Sequence, residues 1–245
     1  NIEFNQVRFS YIKNEEVLKG ISFQVQKGQT VAIVGATGAG KSTIINLINR
    51  FYEIDNGVIS VDNISVKEYE LASLRNQIAI VLQDVFLFSD SIYNNITLKN
   101  SQITLEEVEE AAKKIGIHHF IMTLPGGYHY NVKERGVMLS SGQRQLIAFL
   151  RAYVSKPRIL ILDEATSSVD SHAEKLIQFA TDTITKGRTS IVIAHRLATI
   201  KKADKIIVMN KGVIVEEGTH KELLKKKDGY YKNLFDKQFN LELAS

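Results

Sequence analysis

The sequence predicts an α/β fold with a mixed sheet, an antiparallel β flank and an α-helical subdomain. Residues 31–34 and 159–162 are short continuous apolar runs, which are typical of strands buried on both faces of a sheet. Ile21, Phe23 and Val25 alternate with polar residues, which indicates an antiparallel strand with one exposed face. From about residue 85 to 155 the apolar spacing is mostly helical.

The composition favours an ordinary folded domain. Of 245 residues, 44% are hydrophobic and 24% are charged, which is far from the signature of a disordered chain. No apolar run reaches the roughly 18 residues that span a bilayer. Because there is no cysteine, disulfides, thiolate nucleophiles and cysteine zinc sites are excluded, and the cytoplasm is the expected compartment.

Further strands flank the first buried run. Residues 58–66, broken by Asp62 and Asn63, predict a hairpin, and residues 78–82 predict a buried strand that ends at Gln83. Residues 190–194 predict another buried strand, and residues 205–217 predict a pair of strands that turn at residues 210–212.

Two helical features complete the pattern. Thr104 and Glu107 form a capping-box pair, which predicts the start of a helix. The lysines at 225–227 predict a solvated helix face in the tail, with a patch for nucleic acid or anionic lipid as the alternative.

Residues 35–42 (GATGAGKS) match the pattern G-x-x-x-x-G-K-[ST] between a buried strand and a helix, which is the context that a phosphate-binding loop requires. Glycines allow successive backbone N–H groups to converge on phosphate oxygens, and the helix N-terminus favours the negative charge. Lys41 would reach the β- and γ-phosphates, and the Ser42 hydroxyl would bind Mg²⁺. The motif therefore predicts a nucleotide phosphate site.

Asp163 and Glu164 follow the apolar run 159–162, so they emerge at the carboxyl end of a buried strand, where α/β proteins bind ligands. Asp163 suits the Mg²⁺ shell, and Glu164 suits a general base that polarises an attacking water. Taken alone, the pair is equally compatible with a solvated strand end, and the phosphate loop favours the functional interpretation.

Residues 139–143 (LSSGQ) precede a helical pattern, so the Ser140 hydroxyl and nearby N–H groups would lie at a helix N-terminus. By itself this segment is compatible with a plain N-cap, and a second anion site is the other interpretation.

Taken together, these motifs resemble the nucleotide-binding domain of ATP-binding cassette transporters over nearly the whole chain. The order along the chain is the phosphate loop, Gln83, LSSGQ, the aspartate strand 159–164, the stretch 167–170 and His195. The commonest form of the family's signature has glycine where this chain has Ser141. If that position requires a positive φ or a close approach, serine would weaken closure on ATP.

The resemblance implies a role for each matching position. Tyr11 is similar to the aromatic residue that stacks on adenine, Gln83 to the glutamine that contacts Mg²⁺ or the attacking water, and His195 to the histidine that contacts the γ-phosphate. Ser140, Ser141, Gly142 and Gln143 would close over ATP held by a partner subunit, and Asp170 would line the dimer interface. The implied ATP-binding set in the first subunit is Tyr11, Gly35, Ala36, Thr37, Gly38, Ala39, Gly40, Lys41, Ser42 and Thr43, and the implied Mg²⁺ set is Ser42, Gln83 and Asp163.

Residues 83–96 and 134–136 are similar to elements of the exporter branch, in which Phe86 and Phe88 would meet intracellular helices of a membrane domain. The resemblance implies an ATPase with a catalytic core at about 1–84 and 156–245 and a helical subdomain at about 85–155. A membrane domain is expected N-terminal to the cassette. The cassette itself is expected at the cytoplasmic face of the membrane, as part of an integral membrane transporter. Two copies or paralogues would enclose ATP, and no nucleic acid partner is expected.

Two alternatives remain open. The first is a soluble cassette ATPase that acts on DNA or ribosomes, although residues 43–158 contain no sustained heptad and only one cassette is present. The second is a metabolite kinase or GTP switch. Residues 210–213 lack the aspartate of a guanine-recognition motif, and a kinase would not explain LSSGQ.

Overall fold

A six-stranded mixed sheet and a four-stranded antiparallel sheet organise the computed structural model, which describes residues 1–164 and 171–239. The strands are β1 (Ile2–Ser10), β2 (Glu16–Val25), β3 (Thr30–Gly35), β4 (Asn56–Val61), β5 (Ile64–Ser65), β6 (Ile78–Val81), β7 (Ile159–Asp163), β8 (Thr189–Ile193), β9 (Lys205–Asn210) and β10 (Val213–Gly218). The large sheet has the order β10-β9-β3-β8-β7-β6, with only β10 antiparallel to its neighbour, and the small sheet has the order β2-β1-β4-β5.

Helices cover the large sheet and form the segment between β6 and β7. They are α1 (Lys41–Ile48), α2 (Leu71–Asn76), α3 (Ile92–Thr97), α4 (Leu105–Lys114), α5 (His118–Met122), α6 (Ser141–Val154), α7 (Ser171–Thr185), α8 (Leu197–Lys202), α9 (His220–Lys225) and α10 (Tyr230–Phe239). Among the helices of the described residues, none is both long and apolar enough to cross a membrane.

The two faces of the large sheet belong to two separate hydrophobic cores. Ile33, Ile161 and Ile191 face the core that α1 and the antiparallel sheet complete. Their strand neighbours Ala32 and Leu160 face the second core, in which α6 and α7 pack. Continuous apolar runs are therefore needed in the central strands because both faces are buried.

The predicted α/β class, the mixed sheet and the antiparallel flank are confirmed. The capping box of α4 forms as expected, with the Thr104 hydroxyl accepting from the Glu107 N–H and the Glu107 carboxylate accepting from the Thr104 N–H. The lysine run differs from the expectation. Only Lys225 lies in α9, Lys226 caps the end of that helix, and Lys227 lies in the turn that follows.

Asn95 anchors the loop after β6 to the helical segment. Its buried side-chain amide accepts from the Phe88 N–H at 2.8 Å and donates to the Phe88 carbonyl at 3.0 Å and to the Ser91 carbonyl at 3.0 Å. Arg151 of α6 donates to the Asn95 carbonyl at 2.7 Å and thereby joins α3 to α6. One buried amide thus binds the backbone at both Phe88 and Ser91.

We expect Asn95→Ala to lower the free energy of unfolding by about 2–3 kcal/mol, because it leaves several buried backbone groups without partners. Urea denaturation followed by circular dichroism measures this change. Asn76→Ala, at an exposed position on α2, is the matched control and should change the stability by less than about 0.5 kcal/mol. Equal stabilities of the two variants would contradict the anchoring role of Asn95.

Candidate functional site

Four parallel strands end together at one edge of the large sheet. Ile33 of β3 and Asp163 of β7 both pair with Ile193 of β8, and Val81 of β6 pairs with Leu162 of β7. The segments that follow these strands therefore leave the sheet side by side. They carry residues 35–42, Gln83, residues 163–164 and His195, and the carboxyl edge of a parallel sheet is where α/β folds bind ligands.

The glycines of residues 35–42 are required by the backbone path between β3 and α1. Gly35, Gly38 and Gly40 have φ values of +154°, +79° and +98°, a region that favours glycine. At Gly35 an added Cβ would lie 2.3 Å from the Met209 carbonyl oxygen, so the backbone of β9 closes that side of the loop. Ala36, Thr37 and Ala39 fill the positions between these glycines.

Lys41 is the first residue of α1, and its side chain folds back so that the ammonium group contacts the loop. It donates to the carbonyl oxygens of Gly35 at 2.8 Å and Ala36 at 3.0 Å, and the residue is only 8% exposed. Burial lowers the pKa of Lys41, while the negative charge of Asp163 acts in the opposite direction. A poorly hydrated cation at the centre of a glycine loop is suited to bind phosphate oxygens.

Asp163 and Ser42 form a pair of oxygen ligands beside Lys41. The Ser42 hydroxyl donates to the Asp163 carboxylate at 3.5 Å. Burial raises the pKa of Asp163, the Lys41 charge and the Ser42 hydrogen bond lower it, and the nearby charge of Asp84 raises it. Mg²⁺ prefers oxygen ligands and is commonly held by one or two protein groups together with substrate phosphates. A hydroxyl and a carboxylate at this separation fit that ion.

His195 follows β8 and lies half-buried beside the same cluster. Burial lowers the pKa of His195, and the positive charge of Lys41 lowers it further. The neutral imidazole is therefore favoured near neutral pH, and it retains one N–H donor. Gln83 is exposed after β6, next to Asp84.

Glu164 directly follows β7, and its side chain has different hydrogen-bond partners from that of its neighbour Asp163. Its residue is 2% exposed, and its carboxylate accepts hydrogen bonds from the backbone N–H groups of His195 at 2.9 Å and Arg196 at 3.0 Å. The Thr199 hydroxyl donates to the same carboxylate at 2.5 Å. Burial raises the pKa of Glu164, although all three hydrogen bonds act to lower it.

Tyr11 follows β1 and lies against α1. Its hydroxyl donates to the Thr43 hydroxyl at 3.2 Å and accepts from the Asn46 amide at 3.0 Å. Its ring meets the ring of Tyr52 edge-on, with centroids 5.0 Å apart. Phe9 makes a second perpendicular ring contact with Tyr11, with centroids 4.7 Å apart, and Tyr11 remains 45% exposed.

The segment 139–143 begins α6 in the helical part of the chain. Ser140 is the N-cap, with a hydroxyl that accepts from the Gln143 N–H at 3.2 Å, while the Gln143 amide oxygen accepts from the Ser140 N–H at 2.9 Å. Ser141 is an exposed first residue of the helix and does not adopt a positive φ. Serine at that position therefore causes no backbone strain within this chain, and Gly142 is buried behind it.

The structure thus brings together Lys41, Ser42, Asp163 and His195, whereas the hydrogen bonds of Ser140 and Gln143 stay within α6. Asp170, the expected interface residue, lies outside the described residues. The sequence motifs did not indicate Asp84, Asn46 or Thr199 as residues of the site. Of these, Asp84 had a sequence signal, because it directly follows Gln83 at a strand end.

Comparisons with known proteins identify the family of the chain. Residues 18–167 match the family model described as ABC transporter. "Putative multidrug export ATP-binding/permease protein YgaD" of Bacillus subtilis is 49% identical over 235 residues, which are 96% of this chain and 40% of that protein. A protein of the same description from Staphylococcus aureus is 50% identical over 238 residues, covering 97% of this chain and 41% of that protein.

A solved structure supports the same assignment. The structure of a bacterial Atm1-family ABC exporter with ATP bound matches with a TM-score of 0.90 and 42% identity, over 97% of this chain and 41% of that chain. The chain therefore spans about 40% of the length of the curated relatives it matches.

The fold and the loop at residues 35–42 define a phosphate-loop nucleotide-binding protein of the α/β class. The chain belongs to the ABC transporter family. Membership in this family implies nucleotide binding and, in general terms, an ATPase.

We expect Gly35→Ala to reduce nucleotide binding and stability more than Gly38→Ala does. Both positions have a positive φ, which costs alanine about 1 kcal/mol, but only at Gly35 does the new Cβ collide with backbone. Thermal melts with and without a fluorescent ATP analogue measure both effects. Equal losses in the two variants would show that the contact with Met209 does not shape the loop.

Proposed function

We propose that the chain binds and hydrolyses ATP, dimerises on ATP and drives substrate export as part of a membrane transporter. The observation that carries this proposal is the cluster of Lys41, Ser42, Asp163 and His195 at the carboxyl edge of the large sheet. The names of the relatives, which combine multidrug export with an ATP-binding/permease protein, support the transport role. The alternative of a soluble ATPase that acts on DNA or ribosomes is not favoured.

The phosphate chain of ATP would be bound by residues 35–43. The backbone N–H groups of the loop and of the first turn of α1 supply donors and a positive dipole end, and Lys41 supplies a charge that burial leaves poorly hydrated. Tyr11, which is partly exposed, would stack on adenine. Binding energy thus comes from groups that the fold has already placed.

Mg²⁺ would be held by the Ser42 hydroxyl and the Asp163 carboxylate, with Gln83 as a third oxygen donor. When bound, this ion supplies positive charge that neutralises the phosphate oxygens. Asp84 adds a second carboxylate nearby, and its charge acts on Asp163.

Hydrolysis requires a general base, a hydrogen-bond donor to the terminal phosphate, and positive charge that neutralises the phosphoryl group. Glu164 is the proposed general base, Gln83 would orient the attacking water, and His195 would donate a hydrogen bond to the terminal phosphate as a neutral imidazole. Lys41 would stabilise the charge that develops on the transferred phosphoryl group.

A second subunit would complete each site. Residues 140–143 present an exposed N-cap and helix start, and they would bind the γ-phosphate held by the partner, with Asp170 at the same interface. Within each subunit we propose a catalytic core at about 1–84 and 156–245 and a helical subdomain at about 85–155.

The contact with the membrane domain would form at the loop after β6. Phe86 and Phe88 are exposed, and their rings meet edge-to-face with centroids 5.1 Å apart. They form an apolar surface of the kind that marks a protein–protein contact. An N-terminal membrane domain would dock there and hold the chain at the cytoplasmic face of the membrane.

We expect Glu164→Gln to lower the rate of ATP hydrolysis about a hundredfold or more while ATP binding persists, because the amide cannot act as a base. Size-exclusion chromatography with ATP and Mg²⁺ should show the variant as a dimer. Glu68→Gln, at an exposed position, is the control and should hydrolyse ATP at the wild-type rate. A monomer under these conditions would count against the proposed ATP dimer.

We expect two inactive variants to restore activity when they are mixed. Lys41→Ala removes the phosphate ligand, and Ser140→Arg blocks the helix tip of α6. In a mixed two-fold dimer, one site pairs the intact Lys41 of one copy with the intact Ser140 of the other. Random pairing predicts about a quarter of the wild-type ATPase rate. Activity that stays at the level of the separate variants would refute a site shared between subunits.

A further inference from the structure

The three hydrogen bonds to Glu164 leave its carboxylate little capacity for water. One oxygen accepts both backbone N–H groups, from His195 and Arg196, and the other accepts the Thr199 hydroxyl. A carboxylate has about four acceptor positions, so three of them are occupied. The residue is 2% exposed, whereas a general base must lie within hydrogen-bond reach of the water it activates.

The same contacts serve the local structure of α8. The N-cap of this helix is Arg196, whose side chain makes no capping hydrogen bond. The carboxylate of Glu164 accepts from the N–H of Arg196 itself, which is a donor at the helix start with no acceptor within the helix. This arrangement stabilises the buried position of Glu164 independently of any nucleotide.

We propose that Thr199 is a positioning residue that holds Glu164 in a resting position, from which the carboxylate must be released before ATP is hydrolysed. The inference rests on the proposed function, because it concerns the regulation of the same site. The rate of ATP hydrolysis is then limited by the fraction of molecules in which Glu164 is released. This holds for any two-state element whose active form is the less populated one.

Contacts between α7 and α8 surround this hydrogen bond. The Thr199 hydroxyl lies 3.5 Å from the amide oxygen of Gln178, and the Gln178 amide donates to Asp182 at 2.9 Å. Lys202 of α8 pairs with Asp182 at 2.5 Å. The hydroxyl that holds Glu164 is therefore fixed between two helices, and a shift of α7 against α8 would move it.

The test compares Thr199→Val, which keeps the shape but removes the hydroxyl, with Thr199→Ser, which keeps the hydroxyl. We expect the valine variant to raise kcat for ATP hydrolysis about tenfold with an unchanged KM for ATP, and the serine variant to match the wild type. Thr181→Val is the matched control. Thr181 is 3% exposed against 5% for Thr199, and its hydroxyl donates to the Ile177 carbonyl.

A second measurement reports on Glu164 without ATP hydrolysis. Modification of carboxyl groups with a carbodiimide and glycine ethyl ester, mapped by mass spectrometry on the nucleotide-free chain, gives the rate at which Glu164 is labelled. We expect labelling of Glu164 to be about tenfold faster in Thr199→Val than in the wild type, Thr199→Ser or Thr181→Val. If the valine variant fails to fold, Thr199→Ala replaces it in both measurements.

The outcomes separate the two proposals. A kcat that falls or stays constant in Thr199→Val, or equal labelling of Glu164 in all variants, would overturn the resting position. If the wild type shows no hydrolysis that depends on Glu164, the proposed function fails instead, and the labelling rates alone decide whether the Thr199 hydroxyl holds the carboxylate.

Discussion

The parallel register of β3, β6, β7 and β8 is the constraint on which the site depends. The pairing of Ile33 and Asp163 with the same residue, Ile193, fixes how far each strand extends before its loop begins. A shift by one residue would turn Asp163 to the opposite face of the sheet and separate it from Ser42. The chemistry at the sheet edge is thus a consequence of how the apolar residues of two cores interlock.

Within that frame, opposite charges make the burial of Lys41 possible. Desolvation disfavours an isolated ammonium group, and this cost is offset by the Gly35 and Ala36 carbonyl oxygens and by the charge of Asp163. Asp163 is likewise half-buried and depends on Lys41. The two groups therefore stabilise each other's charged forms, and the helix start beside them adds a further positive potential.

The central strands and the phosphate loop were predictable because their signals are local. A continuous apolar run and a glycine-lysine pattern each lie within ten residues. Strand β1 was missed, since its alternation breaks where the pairing with β2 shifts after Phe4 and Gln6 adopts a φ of +50°. Helix α7 was also missed, although the spacing of Ala173, Ile177, Ala180 and Ile184 was available in the sequence.

Contacts that join distant segments could not be predicted from periodicity. The hydrogen bond from Thr199 to Glu164 spans 35 residues and connects a strand end to a helix, and nothing in either local sequence specifies it. The same holds for the contact of the Asn46 amide with Tyr11, which orients the proposed adenine-stacking ring. The residue types of the site were thus predictable, whereas the direction in which each side chain points required the fold.

The position of Glu164 illustrates how stability and catalysis compete for one carboxylate. Burying a carboxylate without donors is prohibitive, so the fold supplies two N–H groups and a hydroxyl. These donors are also satisfied by the carboxylate, and each would cost about 1–3 kcal/mol if left buried without a partner. If Glu164 moves toward a nucleotide, another acceptor or a water molecule must therefore accept these hydrogen bonds at the start of α8. If Glu164 does move as proposed, this requirement favours two discrete positions, because an intermediate position would leave the N–H groups of His195 and Arg196 and the Thr199 hydroxyl without an acceptor.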